Sequence, residues 1–129
     1  MGISVNWANE EQTIVRWIFD GPWTWQDFLD AQTQSNALLA TVDHRVDIVG
    51  NLINSPSLPA NALSAYKGVL KRAAPNIGLI VLVGSSSFVK AMVRTFNSIF
   101  RGSAPGTNFA FANSEAEAFE VIAKDRQLI

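Results

Sequence analysis

The residues of this chain best placed by type and spacing to do chemistry are Gly84-Ser85-Ser86-Ser87, with Lys90 a turn further on. Hydroxyls and main-chain N–H groups between a strand and a helix N-terminus can hold an anion, because first-turn amides lack intrahelical partners and the helix dipole favours negative charge. The segment has no Gly-Lys-Ser/Thr signature of a phosphate-binding loop. The competing reading is that Gly84 makes the turn and a serine caps the helix. His44, the only histidine, lies between Asp43 and Arg45 just before a strand. With no cysteine in the chain and no serine elbow to activate, it reads as a turn residue, not a general base.

Carboxylates are absent from Ile48 to Ser114, while Lys67, Lys71, Arg72, Lys90, Arg94 and Arg101 all fall in that stretch. The acids lie in residues 1–47 and 115–129, so a net charge of −1 hides a polarised chain. An acid-free half offers no Asp or Glu for proton transfer or hard-metal binding, which argues against an enzyme and implies no cofactor. It does offer a surface for something negative. Lys90, Arg94, Asn97 and Arg101 share an arc of roughly 60° at helical spacing, a ridge that could dock an acidic protein partner; a solvated helix face is the alternative. The near-neutral total argues against nucleic acid.

The aromatic group Trp17, Phe19, Trp23, Trp25 and Phe28 fits either a hydrophobic core or the wall of a pocket for an apolar ligand. With 129 residues, 48% of them hydrophobic, the chain reads as a single domain, 1–129, able to bury a core. The lack of cysteine and of an N-terminal signal pattern predicts a cytoplasmic protein, and the longest apolar run, Ile77 to Val83, is too short to span a bilayer.

Residues 3–7 and 13–19 read as a hairpin around the polar turn 8–12. Thr24 with Asp27 predicts a capped helix to about Ala40, buried through Trp25, Phe28, Leu29 and Leu39. A strand over 45–53, a loop with Pro56 and Pro59, and a helix over about 61–72 with the stripe Leu63, Tyr66 and Leu70 follow. Ile77 to Gly84, apolar on every side, predicts a central strand covered on both faces. The next helix, about 86–101, presents Val89, Val93, Phe96 and Phe100 inward, broadened by Phe88, Met92 and Ile99. A turn over 102–106, a strand over 108–112 and a helix capped by Ser114 complete the order ββαβαβαβα. That order makes an α/β fold with a mixed sheet of about five strands and four helices.

This element order, with the stretch Asn51-Leu-Ile-Asn-Ser-Pro-Ser-Leu-Pro-Ala-Asn-Ala-Leu63, resembles the STAS domain, the fold of anti-sigma-factor antagonists. Trp23-Thr-Trp25 and the strand from Asn76 to Gly84 also resemble a group of uncharacterised bacterial STAS-like proteins. The resemblance implies a signalling module acting through protein contacts around Ser57, Ala60, Asn61 and Ser64. Regulatory members carry Asp-Ser-Ser-Gly-Leu at the start of the helix, and the first serine there accepts phosphate. Aligned on Leu63, the acceptor position is Ala60, which cannot be phosphorylated, leaving Ser57 and Ser64 as the near substitutes. The reading is a non-enzymatic interaction module without the usual switch. Its alternative is a sensor for a small apolar, lipid or anionic ligand, with Trp23, Trp25 and Gly84 to Ser87 as candidate contacts. The sequence leaves the oligomeric state open, a homodimer included.

Overall fold

The computed structural model describes residues 2–55, 57–100 and 108–127. Apolar alternation and β-branched residues form β1 (Gly2–Trp7) and β2 (Ile14–Asp20), an antiparallel hairpin. Asn9 closes its turn, accepting from the main-chain N–H of Thr13 at 3.0 Å and of Ile14 at 3.2 Å. Helix α1 (Trp25–Leu39) starts at a reciprocal capping box: Thr24 Oγ1 accepts from Asp27 N at 3.1 Å, and Asp27 Oδ2 accepts from Thr24 N at 2.9 Å. The chain continues through β3 (Val46–Asn54), α2 (Ala62–Lys71), β4 (Ile77–Val83), α3 (Ser87–Phe100), β5 (Phe109–Ala112) and α4 (Glu115–Gln127). The order ββαβαβαβα and the five-stranded mixed sheet are those the sequence predicts. The strands run β1-β2-β3-β4-β5, antiparallel in the first pair and parallel in the rest. The middle strand is β3, and the 77–84 strand expected to be central is β4, an interior strand between β3 and β5. The expected turn at 102–106 lies outside the described residues.

Strand alternation sends two sets of side chains to opposite faces. On one face Val49, Leu79, Val81 and Val83 pack with Ala118 and Ile122 of α4. On the other, Val15, Trp17, Phe19, Ile48 and Leu52 meet α1, with Val89 of α3 joining them. The two covers differ in quality. On β4, Leu79, Val81 and Val83 are buried against α4, while Ile80 and Leu82, facing the other three helices, are only half-buried.

Three helix faces differ from the sequence reading. In α1 the buried residues are Ala31, Gln32, Ser35 and Leu39; Trp25, Phe28 and Leu29 are half-buried. The small and polar middle of the helix makes the close approach, and its aromatic first turn leans over open space. In α2, Leu63 is 41% exposed, and Ala62 and Leu70 are buried. In α3, Phe88 and Ile99 are 66% and 59% exposed, outside the inward stripe rather than at its margin.

Helix α4 is pinned at both ends by ions. Near its start Glu115 accepts from Arg16 Nε at 2.9 Å and from Asn51 Nδ2 at 2.8 Å. Near its end Asp125 accepts from Arg45 at 2.6 Å, and Arg126 reaches Asp47 at 2.8 Å. A carboxylate in the first turn and a guanidinium in the last also complement the helix dipole. Asp47, fully buried, takes further bonds from Arg45 Nε and from the main-chain N–H of Leu79, both 2.8 Å. Burial alone would lower the Arg45 pKa; the hydrogen bonds and charges of Asp125 and Asp47 outweigh it, so the net shift is upward. Gly78 passes so close that a Cβ there would collide with Arg45 and Asp47. Removing one partner of such a buried pair strands the other charges. Asp47→Ala is therefore expected to cost about 3–5 kcal/mol, read as a lower urea midpoint.

Candidate functional site

The half-buried flank of β4 opens onto a cavity that follows from how α2 is held. Three side chains of α1, spaced at helical intervals on one face, donate to main-chain carbonyls along the segment that carries α2. Trp25 Nε1 donates to Ala60 O at 2.7 Å, Gln32 Nε2 to Val69 O at 2.9 Å, and Asn36 Nδ2 to Arg72 O at 2.7 Å. These bonds fasten both ends of α2 to α1, leaving a space between α2, α3 and the sheet.

That space has a volume of about 160 Å³. One wall is the aromatic cluster Trp17, Phe19, Trp23, Trp25 and Phe28, whose ring centroids lie 5.0–6.2 Å apart. Tyr66 of α2 and Phe96 of α3, stacked at 5.4 Å, also line the space. Ile80 and Leu82 form part of the floor beside Gly50, where a Cβ would come within 3.0 Å of a Leu82 methyl. Each indole N–H in the wall has an acceptor: Trp17 gives to Ser35 Oγ at 3.1 Å, Trp23 to Ser55 Oγ at 3.0 Å, and Trp25 to Ala60 O. The rings therefore face the space as apolar surface. Trp17, Phe19 and Trp23 are buried core residues and also line the cavity.

Among the described residues, none that lines the cavity is ionised near neutral pH. Tyr66, the only tyrosine, is the one titratable group, and burial pushes its pKa up to about 12.

The other sequence-predicted residues lie elsewhere. Gly84 turns with φ +74°, and a Cβ there would sit 2.6 Å from Ile53 Cγ1. Ser86 caps α3, its Oγ accepting from Val89 N at 3.2 Å, while Ser87 is exposed and Ser85 Oγ is buried without a partner. Ser57, Ala60 and Ser64 are exposed around the start of α2, and Asn61, the residue preceding it, is left-handed with φ 64° and makes no side-chain cap. Lys90 and Arg94 stand over the Phe111 ring at 5.9 and 5.5 Å, so they cover β5 as well as facing solvent. Asn97 is half-buried, and Arg101 lies outside the described residues. His44 Nε2 is 2.8 Å from Gln12 O, bridging to the hairpin turn. Among the described residues no group of His, Asp and Glu is arranged to hold a metal.

The chain matches no family model, no curated protein and no solved structure. The site must therefore be understood from its own residues. Sequence reasoning missed Gln32, Ser35 and Asn36, which fasten α2 and the Trp17 ring. The signal was present: three polar residues at i, i+3 and i+4 on the helix face that the capping box and Leu39 frame, where apolar residues are the rule.

Because Tyr66 is the sole tyrosine, tyrosinate absorbance reports it alone. In the folded protein it should titrate near pH 12, and in denaturant near 10. Since the folded state holds this proton more tightly, its contribution to stability is intact below pH 10 and should be lost as pH rises towards 12.

Proposed function

We propose that this chain is a non-enzymatic binding module that holds a small apolar molecule between the sheet and helices α1 to α3. The observation that carries this reading is the asymmetry of β4, an interior strand sealed on its α4 face and half-covered by the cavity on the other. An apolar space of about 150 Å³ is large enough to hold benzene and stays dry when empty, so an apolar guest gains contacts without displacing bound water. The cavity therefore favours a ligand over the solvated alternative.

The STAS resemblance fits this reading as a proposal about control. Ala60 stands where regulatory members carry the phosphate acceptor, and its carbonyl is one of the three points that hold α2. Occupancy beneath α2 would take the place of phosphorylation at its N-terminus.

A docking role is the second reading, favoured by Phe88 at the start of α3 and Ile53 at the end of β3. Both are exposed at the carboxyl end of the parallel strands, and Arg94 lies further along α3. Charge reversal at Lys90 and Arg94 should weaken capture of an acidic protein partner if that surface docks it, while the fold, losing two cation–π contacts to Phe111 of about 0.5–1 kcal/mol each, still melts cooperatively.

The deciding experiment for the leading reading is thermal unfolding with toluene. At ten times its dissociation constant the ligand should raise Tm by about 5 °C for a domain of this size. Val69→Phe, which places a ring in the cavity, should abolish the shift. Absence of any shift in the wild type, together with no apolar molecule retained on gentle purification, would reject the reading.

A further inference from the structure

We infer that the cavity selects small, uncharged aromatic molecules over saturated ones of the same carbon count, through contacts with the aromatic rings of its own walls. The inference rests on the binding role proposed above and adds the chemical class of the ligand.

The rings that line the cavity fall into two groups. Phe28 is the hub of the first, its centroid 5.0 Å from Trp17, 5.6 Å from Trp25, 5.8 Å from Trp23 and 6.2 Å from Phe19. All four neighbours are inclined to it, by 34–59°, so none of them lies flat against it. Tyr66 centres the second group, 5.4 Å from Phe96 and 6.2 Å from Phe109. Trp25, Phe28, Tyr66, Phe96 and Phe109 are half-buried, so each keeps accessible surface as well as a place in the lining. The indole N–H groups of Trp17, Trp23 and Trp25 are engaged within the protein, which leaves ring faces and C–H edges as what these side chains can offer a guest.

Such walls distinguish between two kinds of apolar guest. A saturated molecule gains dispersion contacts and leaves water, and an aromatic one does the same. Only the aromatic guest also carries a quadrupole, whose negative face and positive edge complement the edges and faces of the surrounding rings in offset and edge-on contacts. The inclined rings around Phe28 already meet one another in this way. A volume of about 160 Å³ suits a single-ring molecule and is too small for a long acyl chain. With no ionised group among the described lining residues, a charged guest would lose its hydration without compensation.

The test compares toluene with methylcyclohexane, and benzene with cyclohexane, by headspace gas chromatography over sealed solutions of the full chain, which reads the bound fraction directly. Within each pair the aromatic member is the better hydrated, so burial alone would favour the saturated one. Ring contacts are expected to reverse that order, with the aromatic member bound roughly fivefold tighter. Phe28→Leu keeps an apolar wall but removes the ring that touches four others, and should cut the toluene preference about twofold or more while toluene still binds. The wild-type pairs decide the inference whether or not that variant folds. Equal or tighter binding of the saturated member in either wild-type pair, or an unchanged preference in folded Phe28→Leu, would overturn the inference and leave the apolar-ligand reading standing. Failure of all four compounds to bind would overturn both.

Discussion

Three hydrogen bonds from one face of α1 determine most of what is distinctive in this structure. Trp25, Gln32 and Asn36 hold the main chain at Ala60, Val69 and Arg72, so α2 is positioned by polar fastenings to another helix more than by an apolar stripe pressed on the sheet. Hydrophobic burial normally draws a helix down until its side chains fill the space beneath. Here the attachment points keep the helix raised. The half-buried state of Ile80 and Leu82 and the cavity beneath α2 follow from that spacing.

The opposite face of the sheet is secured by different physics. There α4 supplies an apolar contact through Ala118 and Ile122 and is tied at each end by carboxylate–guanidinium pairs, the deepest centred on Asp47. A buried charge of this kind adds little net stability over a hydrophobic substitute, but it fixes position closely, because misplacement leaves an unpaired ion. The acidic ends of the chain, conspicuous in its sequence, are partly explained here: Arg16 meets Glu115, Arg45 meets Asp125 and Arg126 meets Asp47, each pair joining the first half of the chain to the last helix. The charge polarity along the sequence is in this respect a folding feature. The central basic residues remain, and among the described residues Lys67, Lys71, Arg72, Lys90 and Arg94 form no ion pair.

Element order was legible in the sequence because local signals agree with the fold: the Thr24–Asp27 box, the polar turn around Asn9, the apolar run at Ile77 and Ser114 before the last helix. Helix faces were read less well, for a physical reason. Assigning a face from hydrophobicity assumes that apolar residues are buried, yet Leu63, Phe88 and Ile99 are exposed while Gln32 and Ser35 are buried. Such inversions concentrate in α1, α2 and α3, the helices around the cavity, where packing is not the sole determinant of position. Asp47 was legible in type, as a charge inside an apolar strand, but its ionic partners lie just before that strand and on α4, 79 residues away, and strand alternation alone cannot join them. The middle place of β3 was likewise hidden, since strand order is a tertiary property that a continuous apolar run does not encode.

The fastening of α2 has a consequence for how this scaffold can change. Its three acceptors are carbonyl oxygens, which every amino acid supplies, so the position of α2 is independent of the side chains at Ala60, Val69 and Arg72. The helix is recognised as backbone. Its inward surface, including Tyr66 and Val69, can therefore drift in shape and polarity without loosening the attachment, as interchangeable inserts sit in a fixed frame. Diversification would be concentrated on one short helix, with the donors on α1 staying constant while the chamber beneath is re-cut for different guests.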